Sequence, residues 1–529
     1  MRYDKKALPD VDIDFEMDRR DEVLDYVLNK YAGQSARVSS YGLYKVDNTI
    51  NGLAKVCGLP IDKDVEDYER NQNKATIASI KKIINGHMND DGSINKESLF
   101  NGVNRNEVRM LNEQYDNIFI HFVRLYNKVR FIGTHSAGVV ITSGEVLQYT
   151  ALRLDKAGNI YSTYNLEDLE DINIVKFDLL GLKTMQSISE CRKLAKKTGF
   201  DLDIAEDKKV LEQFRLGNTT GIFQLEKRTA RNILDEINCN SFDDVVATCA
   251  MNRPGPLGQG MPAQYAANKL NADNIDKDDL RYKYTKKSYG TAIYQEQLLL
   301  VLVEIGKLEW FEADVVLKAN KHGSKENTIA ILNEYERKTG SDLFSKFING
   351  CMNSGLTKEE ANNLWDSLMV YSFNKGHAVG YSLISLEEMY YKLYHPEFFW
   401  YAKLKYARDS KERNEFCNQA AKDGIVVFLP HINYSKEDAS LRKVEGEYVL
   451  QQGLTDIKGV GTKAASYIVE ERKKNGIFIN YDDFYDRCKS RTVTSRTITL
   501  LEEQGAIEMN KRRYIKKVTL YNSALYSRA

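Results

Sequence analysis

The sequence predicts an α+β fold that is mostly helical, and three observations carry this prediction. Residues 8–15 alternate between acidic and apolar side chains, which at a period of two is typical of a strand with one wet and one buried face. Strand character returns at residues 138–141 and 172–178, whereas helical periodicity dominates from residue 183 to about 423. At 529 residues the chain exceeds the length at which one hydrophobic core stops growing, so we expect several domains.

The first part of the chain is expected to be a sheet interrupted by helices. A helix is predicted over residues 18–31, because apolar residues recur there at helical spacing. Residues 47 to about 130 again have a mostly helical pattern. The strand at 172–178 is followed by Gly181, which marks a turn into a helix that begins near Lys183. The strands on either side of residues 47–130 and the helices between them are therefore predicted to form one domain.

The long helical stretch that follows is predicted to contain one rigid turn. Residues 253–256 read Arg-Pro-Gly-Pro, and two prolines with a glycine argue against a regular helix there. Residues 425–430 give a short strand signal, and the chain from Gly453 onward resembles two small helical units.

Composition argues for a soluble protein. The hydrophobic fraction is 42% and the charged fraction 28%, both ordinary for globular chains, and no apolar run approaches the length of a membrane span. Residues 1–6 have no apolar stretch behind their basic residues, which argues against a secretory signal. We therefore expect the protein in the cytoplasm, of a bacterium or of a phage-infected host, with no membrane partner.

The cysteines do not form a metal-binding or disulfide pattern. They are scattered without a Cys-x-x-Cys pair, so we expect reduced thiols, most of them buried. The seven are Cys57, Cys191, Cys239, Cys249, Cys351, Cys417 and Cys488.

Net charge gives no direct indication of a nucleic-acid partner. The chain has 75 basic and 75 acidic residues, and what matters for nucleic acid is whether basic residues gather on one surface. Residues 486–517 are locally rich in lysine and arginine. This tail is a candidate for tracking phosphates, and a solvated helix face remains the alternative.

Carboxylates are the first candidate functional residues. Asp10, Asp12 and Asp14 share one face of the first predicted strand, and like charges held so close need protons or cations to neutralise them. Asp178, at the end of a second strand, is the natural third ligand of a divalent-metal site, and Lys176 shares its strand face. On the pattern alone, a metal site and a solvated sheet face both remain open.

Two stretches match sequence motifs of one polymerase family. Residues 8–15, LPDVDIDF, match its PDxDxDF signature, and residues 175–182, VKFDLLGL, match its second palm motif. Further stretches resemble the family's other motifs in the same order along the chain, namely 135–141 (HSAGVVI), 221–226 (GIFQLE), 253–256 (RPGP), 294–297 (YQEQ), 313–321 (ADVVLKANK) and 373–378 (FNKGHA). The chain therefore resembles the C-family replicative DNA polymerases of bacteria and phages, which include DNA polymerase III alpha subunits.

This resemblance implies a specific architecture. A palm resembling that of the polymerase beta-like nucleotidyltransferases would carry helical thumb and fingers and a C-terminal helix-hairpin-helix region. We expect palm at residues 1–34 and 131–182, thumb at 35–130, fingers at 183–424 and the duplex-binding region at 425–529.

The resemblance also implies roles for palm residues. Asp10, Asp12 and Asp178 match the catalytic triad that binds two Mg²⁺ ions, and Asp14 would have a supporting role at most. The incoming nucleoside triphosphate would be contacted by Lys176, Ser136 and Gly138. The backbone turn from Ser136 to Gly138 is a chemically sensible phosphate cradle.

Outside the palm, the resemblance implies a second set of nucleotide contacts. Arg253 is a candidate to clamp phosphate oxygens with two parallel hydrogen bonds. The finger candidates are Lys318, Lys321, Asn374 and Lys375. His135 and His377 are open between structural histidines and phosphate contacts.

The stretch 453–463, GLTDIKGVGTK, resembles a helix-hairpin-helix element. Gly459 and Gly461 would let the backbone approach a DNA phosphate, and Lys463 would add positive charge. Such contacts read the DNA backbone and carry no sequence preference.

The implied function is DNA-templated synthesis of DNA in replication. The partners would be primer-template DNA and deoxynucleoside triphosphates, with a sliding clamp as a further candidate. Family members carry several hundred residues before the PDxDxDF motif, which here lies almost at residue 1, so we expect an unpaired palm edge. We therefore expect either that a second chain supplies the N-terminal palm, as in a split enzyme, or that the chain is a degenerate or truncated gene product. The alternative is a DNA-binding or assembly subunit that cannot polymerise unaided.

Overall fold

The structure is a computed structural model. It describes residues 11–509 except 63, 90–91, 157, 200, 277, 321–324 and 370–371, and beyond residue 509 it describes 518–519 and 522–523. The chain divides into two compact units, a first unit up to Gly181 and a second unit from Leu182 onward. Among the helices of the described ranges, none is long and apolar enough to cross a membrane.

The first unit is built on a mixed sheet of six strands in the order β1-β6-β3-β2-β5-β4. β2 is antiparallel to β3 and parallel to β5, while β3 and β6 are antiparallel. The strands are β1 (Val11–Glu16), β2 (Ser35–Leu43), β3 (Val129–Ile141), β4 (Leu152–Leu154), β5 (Ile160–Ser162) and β6 (Lys176–Leu182). Within the described part of the chain, β1 and β4 are the edges of this sheet.

Five of the first unit's helices form a separate layer with its own core. α2 to α6 pack around fully buried Ile50, Ile80, Phe119 and Phe122, whereas α1 and α7 flank the sheet. The helices are α1 (Arg20–Lys30), α2 (Val46–Val56), α3 (Asp67–Asn85), α4 (Lys96–Asn101), α5 (Arg105–Gln114), α6 (Ile118–Leu125) and α7 (Leu166–Asp171).

The second unit is mostly helical around a core that includes Tyr265, Tyr391 and Trp400. Local sequence fixes several helix starts, as where Thr357 and Glu360 form a reciprocal capping box. The helices are α8 (Lys183–Leu194), α9 (Lys208–Arg215), α10 (Arg228–Glu236), α11 (Phe242–Met251), α12 (Pro254–Gly258), α13 (Met261–Leu270), α14 (Tyr282–Thr285), α15 (Gln295–Leu300), α16 (Trp310–Asn320), α17 (Lys325–Thr339), α18 (Leu343–Asn353), α19 (Lys358–Leu368), α20 (Lys375–Tyr394), α21 (Pro396–Lys405) and α22 (Ser410–Lys422).

A three-stranded sheet and three helices complete the second unit. The sheet has the order β7-β9-β8, and Val427 and Leu450 from it join the helical core. The elements are β7 (Val427–Phe428), β8 (Ser440–Val444), β9 (Glu447–Gln451), α23 (Thr462–Asn475), α24 (Tyr481–Cys488) and α25 (Ser495–Glu503). The last three helices share a core of their own around Phe478 and Phe484.

The predicted mostly helical α+β class is confirmed, and so is the burial of most cysteines, since only Cys249 is partly exposed. The rigid turn predicted at 253–256 is wrong. That segment opens the short helix α12, because proline at the first helical position loses no hydrogen bond and has a suitable φ. The hairpin of β8 and β9 was not predicted from the sequence.

The domain names assigned from the resemblance remain predictions. β2 lies inside the sheet although it falls in the range 35–130 predicted as thumb, and the helices of that range begin only at Val46.

Candidate active site

The acids of β1 and β6 lie on one face of the sheet. Phe15 of β1 and Phe177 and Leu179 of β6 pack with α1 in one apolar cluster. Because side chains alternate along a strand, Asp12 and Asp14 lie on the opposite face of β1. Asp178 likewise lies on the opposite face of β6. We call this the acidic face.

The C-terminal ends of β1 and β6 lie side by side. A Cβ placed on Gly181 would stand 3.3 Å from the Cα of Met17 and 3.4 Å from its Sδ. Glycine therefore permits the close approach of the two chain segments. Asp14 and Asp178 each precede this point by three residues.

Two carboxylate oxygens on the acidic face are buried and have no hydrogen-bond partner within the described ranges. They are Oδ1 of Asp14 and Oδ1 of Asp178. The other oxygen of Asp178, Oδ2, lies 2.7 Å from Nζ of Lys176. A buried carboxylate oxygen without a partner is unfavourable, so the two oxygens are suited to a ligand that supplies positive charge. Asp12, by contrast, is exposed.

A wide bulge in β3 lies beside Asp178. Arg37 of β2 pairs with Val139 and Ser39 pairs with Thr134, so residues 135–138 all stand opposite the single residue Val38. On its other side, Gly138 pairs with Asp178. Bulges redirect backbone groups and commonly lie beside functional sites. This bulge turns the segment from His135 to Gly138 toward the acidic face.

The His135 imidazole caps this bulge from within. Its Nδ1 accepts hydrogen bonds from the backbone N–H of Gly138 at 2.7 Å and of Ala137 at 3.3 Å. Nδ1 also lies 3.7 Å from Oδ1 of Asp178, but an atom that accepts hydrogen bonds carries no proton, so this proximity is not an ion pair. His135 therefore binds the two N–H groups that the sequence offered as a phosphate cradle.

Two motifs of the second unit meet at the start of α20. Tyr294 and Phe373 form a β-bridge, and the Glu296 carboxylate accepts hydrogen bonds from the Lys375 backbone N–H and the Asn374 side-chain amide. Asn374 Oδ1 in turn caps α20 by accepting from the N–H of His377 at 2.8 Å. Both polar ends of the Asn374 side chain are thus engaged within the unit.

A third motif joins this cluster through Arg253. The guanidinium carbon of Arg253 lies 3.8 Å from the centre of the Phe373 ring, close enough for a cation–π contact. Its Nε is buried without a hydrogen-bond partner among the described residues. Lys375 also lies over an aromatic ring, with Nζ 5.2 Å from the centre of Tyr294.

Lys318 is held by a local ion pair. Its Nζ lies 2.5 Å from Oδ2 of Asp314, one turn earlier on α16. The neighbouring Asn320 is buried and donates to the Leu368 carbonyl at 2.8 Å.

The predicted helix-hairpin-helix turn leads directly into α23. Gly459 has φ +97°, which favours glycine, and a Cβ there would stand 2.8 Å from Cδ1 of Leu500. Gly461 precedes the first residue of α23, and Lys463 is exposed at the start of that helix.

Comparison with known proteins assigns the chain to one family. The model of the bacterial DNA polymerase III alpha NTPase domain matches residues 1–181, and the model of the finger domain of the same subunit matches residues 182–339. A helix-hairpin-helix motif model matches residues 424–514. The chain belongs to the bacterial DNA polymerase III alpha subunit family.

Relatives named DNA polymerase III subunit alpha resemble nearly the whole chain. The Aquifex aeolicus protein is 29% identical over 96% of this chain and the Helicobacter pylori strain 26695 protein is 30% identical over 98%. The Thermus aquaticus protein is 28% identical over 96%. The matched region is 44%, 42% and 40% of these relatives, respectively, so the chain spans less than half their length.

Membership of the DNA polymerase III alpha family implies a divalent metal, and the acidic face fits one chemically. The partnerless oxygens of Asp14 and Asp178 are the hard donors that Mg²⁺ prefers. In the described part of the chain no group of three or more His, Cys, Asp or Glu able to hold a metal is found. Of the three predicted ligands, Asp12 and Asp178 lie within that part and Asp10 lies outside it.

The structure brings most of the predicted site residues into two groups, and it leaves Lys318 and the turn of Gly459, Gly461 and Lys463 separate from both. Asp12, Ser136, Gly138, Lys176 and Asp178 belong to adjacent strands of one sheet. In the second unit, Arg253, Asn374 and Lys375 belong to the cluster around Phe373, while Lys318 pairs with Asp314 on α16. Lys321 lies outside the described residues.

Sequence reasoning missed three residues of these groups. Asp14 was given a supporting role, although its Oδ1 is buried as that of Asp178 is. Glu296 and Phe373 were quoted only as letters of motifs, yet they hold Lys375 and Arg253. Motif membership was the only sequence signal for these two, since neither their spacing nor their type indicates what they contact.

Proposed function

We propose that this chain carries the catalytic centre of a DNA-templated DNA polymerase that acts in replication. The observation that supports this most directly is the acidic face, where Asp14 and Asp178 have buried carboxylate oxygens and Asp178 lies beside the β3 bulge. Family membership supplies the reaction class. The reaction joins a deoxynucleoside triphosphate to a primer 3′-hydroxyl, and pyrophosphate leaves.

In the proposed mechanism some palm residues bind the metal ions and others bind the substrate. Asp10, Asp12 and Asp178 would hold two Mg²⁺ ions, with Asp14 in support. When bound, the metal supplies positive charge that stabilises the phosphoryl oxygens and the attacking hydroxyl. Lys176, now paired with Asp178, would turn toward the triphosphate once that carboxylate is neutralised.

The bulge of β3 is proposed to bind a phosphate through its backbone. The N–H groups of Ala137 and Gly138 point to one acceptor, Nδ1 of His135. A phosphate oxygen would take the place of that nitrogen, since grouped N–H donors favour an anion. Ser136, exposed at the middle of the bulge, would add a hydroxyl contact.

In the second unit Arg253 is the strongest candidate for binding the triphosphate. The guanidinium carbon lies 3.8 Å from the centre of the Phe373 ring, and Nε has no hydrogen-bond partner among the described residues. Its terminal amino groups would bind phosphate oxygens. Lys318, Lys321, Asn374 and Lys375 are proposed to assist as nucleotide or template contacts. Asn374, whose Oδ1 caps α20, would also fix the position of Lys375 at the start of that helix.

Two further partners are proposed. Gly459, Gly461 and Lys463 would contact the phosphate backbone of duplex DNA at the start of α23. β1 is an edge of the sheet in the described part of the chain, and we propose that a palm strand from a longer chain or from a second polypeptide pairs with it.

Primer extension tests this proposal. The purified protein is given primer-template, four deoxynucleotides and Mg²⁺, with and without a polypeptide that carries the remaining palm strands. Extension that is lost in Asp12→Ala and retained in the exposed Asp25→Ala is the expected result. Duplex binding without extension under any of these conditions would instead support a DNA-binding or assembly subunit.

A further inference from the structure

One face of α20 carries side chains that reach from Arg253 to a loop at the far end of the helix. The residues are spaced by three or four positions, so they lie in one stripe. They are His377, Tyr381, Ser385, Glu388 and Lys392. Each contacts a residue that lies outside α20, and these contacts join motifs that are more than a hundred residues apart in the sequence.

At the N-terminal end of the stripe, aromatic rings continue the contact made by Arg253. The Phe373 ring, on which Arg253 lies, meets the His377 ring edge-on at 5.2 Å. His377 lies 4.0 Å from Tyr381, centre to centre. Tyr381 then meets Phe223 edge-on at 4.9 Å. We call Phe223, Tyr381, His377 and Phe373 the ring column.

The far end of the ring column is fixed through the backbone of Phe223. Its N–H donates to Oε2 of Glu388 at 2.6 Å, and its carbonyl accepts from the Ser385 hydroxyl at 2.8 Å. Lys392 holds the same loop by donating to the carbonyls of Asn218 and Thr220. Phe223 therefore has little freedom to move relative to α20.

Glu388 makes this attachment rigid. Its carboxylate is 1% exposed and forms an ion pair with Lys403, which is also nearly buried. A buried charge pair with both partners hydrogen-bonded has few alternative arrangements, because any movement would leave one charge unpaired. The ring column thus extends from a rigid base to the guanidinium of Arg253.

We propose that the ring column is a support that orients Arg253 for the triphosphate, with Tyr381 as its central positioning residue. This inference rests on the proposed role of Arg253 in the polymerase reaction. Tyr381 lies between Phe223 and His377 and would act on Arg253 through His377 and Phe373. Ordinary core packing does not account for the arrangement. His377 is exposed, yet its ring contacts Phe373 on one side and Tyr381 on the other.

The first test needs no enzymatic activity. In the full chain, the Nε–H proton of Arg253 lies close to the Phe373 ring, so its NMR resonance should be shifted by the ring current. The resonance is assigned by its loss in Arg253→Lys. Tyr381→Leu should move it toward the position seen in unfolded peptides, and Tyr390→Leu, elsewhere on α20, should not. An unchanged resonance in Tyr381→Leu would overturn the inference and leave the proposed function untouched.

The second test uses primer extension kinetics with the same variants. Tyr381→Leu should raise KM for the deoxynucleotide up to about tenfold, with kcat nearly unchanged. A change of this size corresponds to the free energy of one aromatic contact. Tyr381→Phe, which keeps the ring, should restore KM. Adding Tyr381→Leu to Arg253→Lys should cost little more, because both changes remove the same contact. If the effects of Tyr381→Leu and Arg253→Lys on KM were simply additive, the ring column would not act through Arg253.

Discussion

Gly138 is the residue on which the geometry of the bulge depends. A Cβ at this position would stand 2.9 Å from Nδ1 of His135, 3.1 Å from Cδ of Lys176 and 3.3 Å from Cβ of Val38. Lys176 belongs to the proposed triphosphate site, and Nδ1 of His135 accepts from the backbone N–H groups proposed to bind phosphate. Any side chain here would displace the His135 cap, the Lys176–Asp178 pair or both.

Gly138→Ala is therefore expected to weaken nucleotide binding and to destabilise the first unit by about 1–3 kcal/mol, as overpacking commonly does. Gly52→Ala is a matched control, because Gly52 is exposed on α2 with nothing within 4 Å of a Cβ. That control should stabilise by about 1 kcal/mol through helix propensity. Thermal unfolding and dNTP titration measure both effects, and equal behaviour of the two variants would contradict the close packing at Gly138.

From the sequence alone, the chemical type of the residues on the acidic face could be predicted, but their burial could not. Alternation along the strands predicted that Lys176 and Asp178 share a face, and the two are in contact. It could not predict that an oxygen of Asp14 is buried while Asp12 is exposed. Burial depends on which strands and loops cover the sheet, and that information is not in the local pattern.

At the scale of single elements, α20 is attached to the loop around Asn218 by a buried lysine. Nζ of Lys392 donates to the carbonyls of Asn218 and Thr220 at 2.9 and 3.0 Å. Burial lowers the pKa of Lys392 to about 8, whereas an unfolded lysine titrates near 10.4. Between these values the unfolded chain holds a proton that the folded chain lacks, so stability contributed by this residue rises with pH.

Lys392→Met should remove this dependence. From pH 8 to 10 the free energy of unfolding of the wild type should rise relative to that of the variant, by on the order of 1 kcal/mol per pH unit. Urea denaturation across this range measures the difference, with the exposed Lys208→Met as control. Parallel curves for wild type and Lys392→Met would show that the lysine is not buried as described.

The start of α23 gives a second prediction at this scale. Lys463→Gln should lower duplex affinity and reduce the slope of log affinity against log salt by about one, since one phosphate contact is lost. Lys474 lies at the other end of the same helix, so Lys474→Gln should leave the slope unchanged. Electrophoretic or fluorescence titrations at several salt concentrations measure both, and identical slopes for the three proteins would argue against DNA contact at this turn.

Helices could be predicted from the sequence where a periodic apolar pattern was long. Short elements, which depend on turn residues or on strand pairing, were harder to predict. The helix predicted near Lys183 begins there. The prolines at 253–256 were read as breakers, yet Pro254 starts α12 because the first turn of a helix needs no N–H donor at that position. β8 and β9 are short strands without a strong alternation, so only their pairing identifies them.

At the scale of the whole molecule, the chain combines two units that match consecutive models of one subunit. The boundary between the NTPase and finger models, at residues 181 and 182, coincides with the boundary between the compact units. The three predicted acids and the predicted phosphate cradle fall in the first unit, and Arg253 with its ring column falls in the second.

The central claim is that the acidic face performs nucleotidyl transfer, and single-turnover incorporation of one nucleotide tests it most directly. Wild type and Asp178→Asn are mixed with labelled primer-template, Mg²⁺, the next complementary deoxynucleotide and the polypeptide proposed to pair with β1. We predict that Asp178→Asn lowers the incorporation rate by at least about 100-fold while duplex binding and the folded state are retained. Equal rates for Asp178→Asn and wild type would contradict the account.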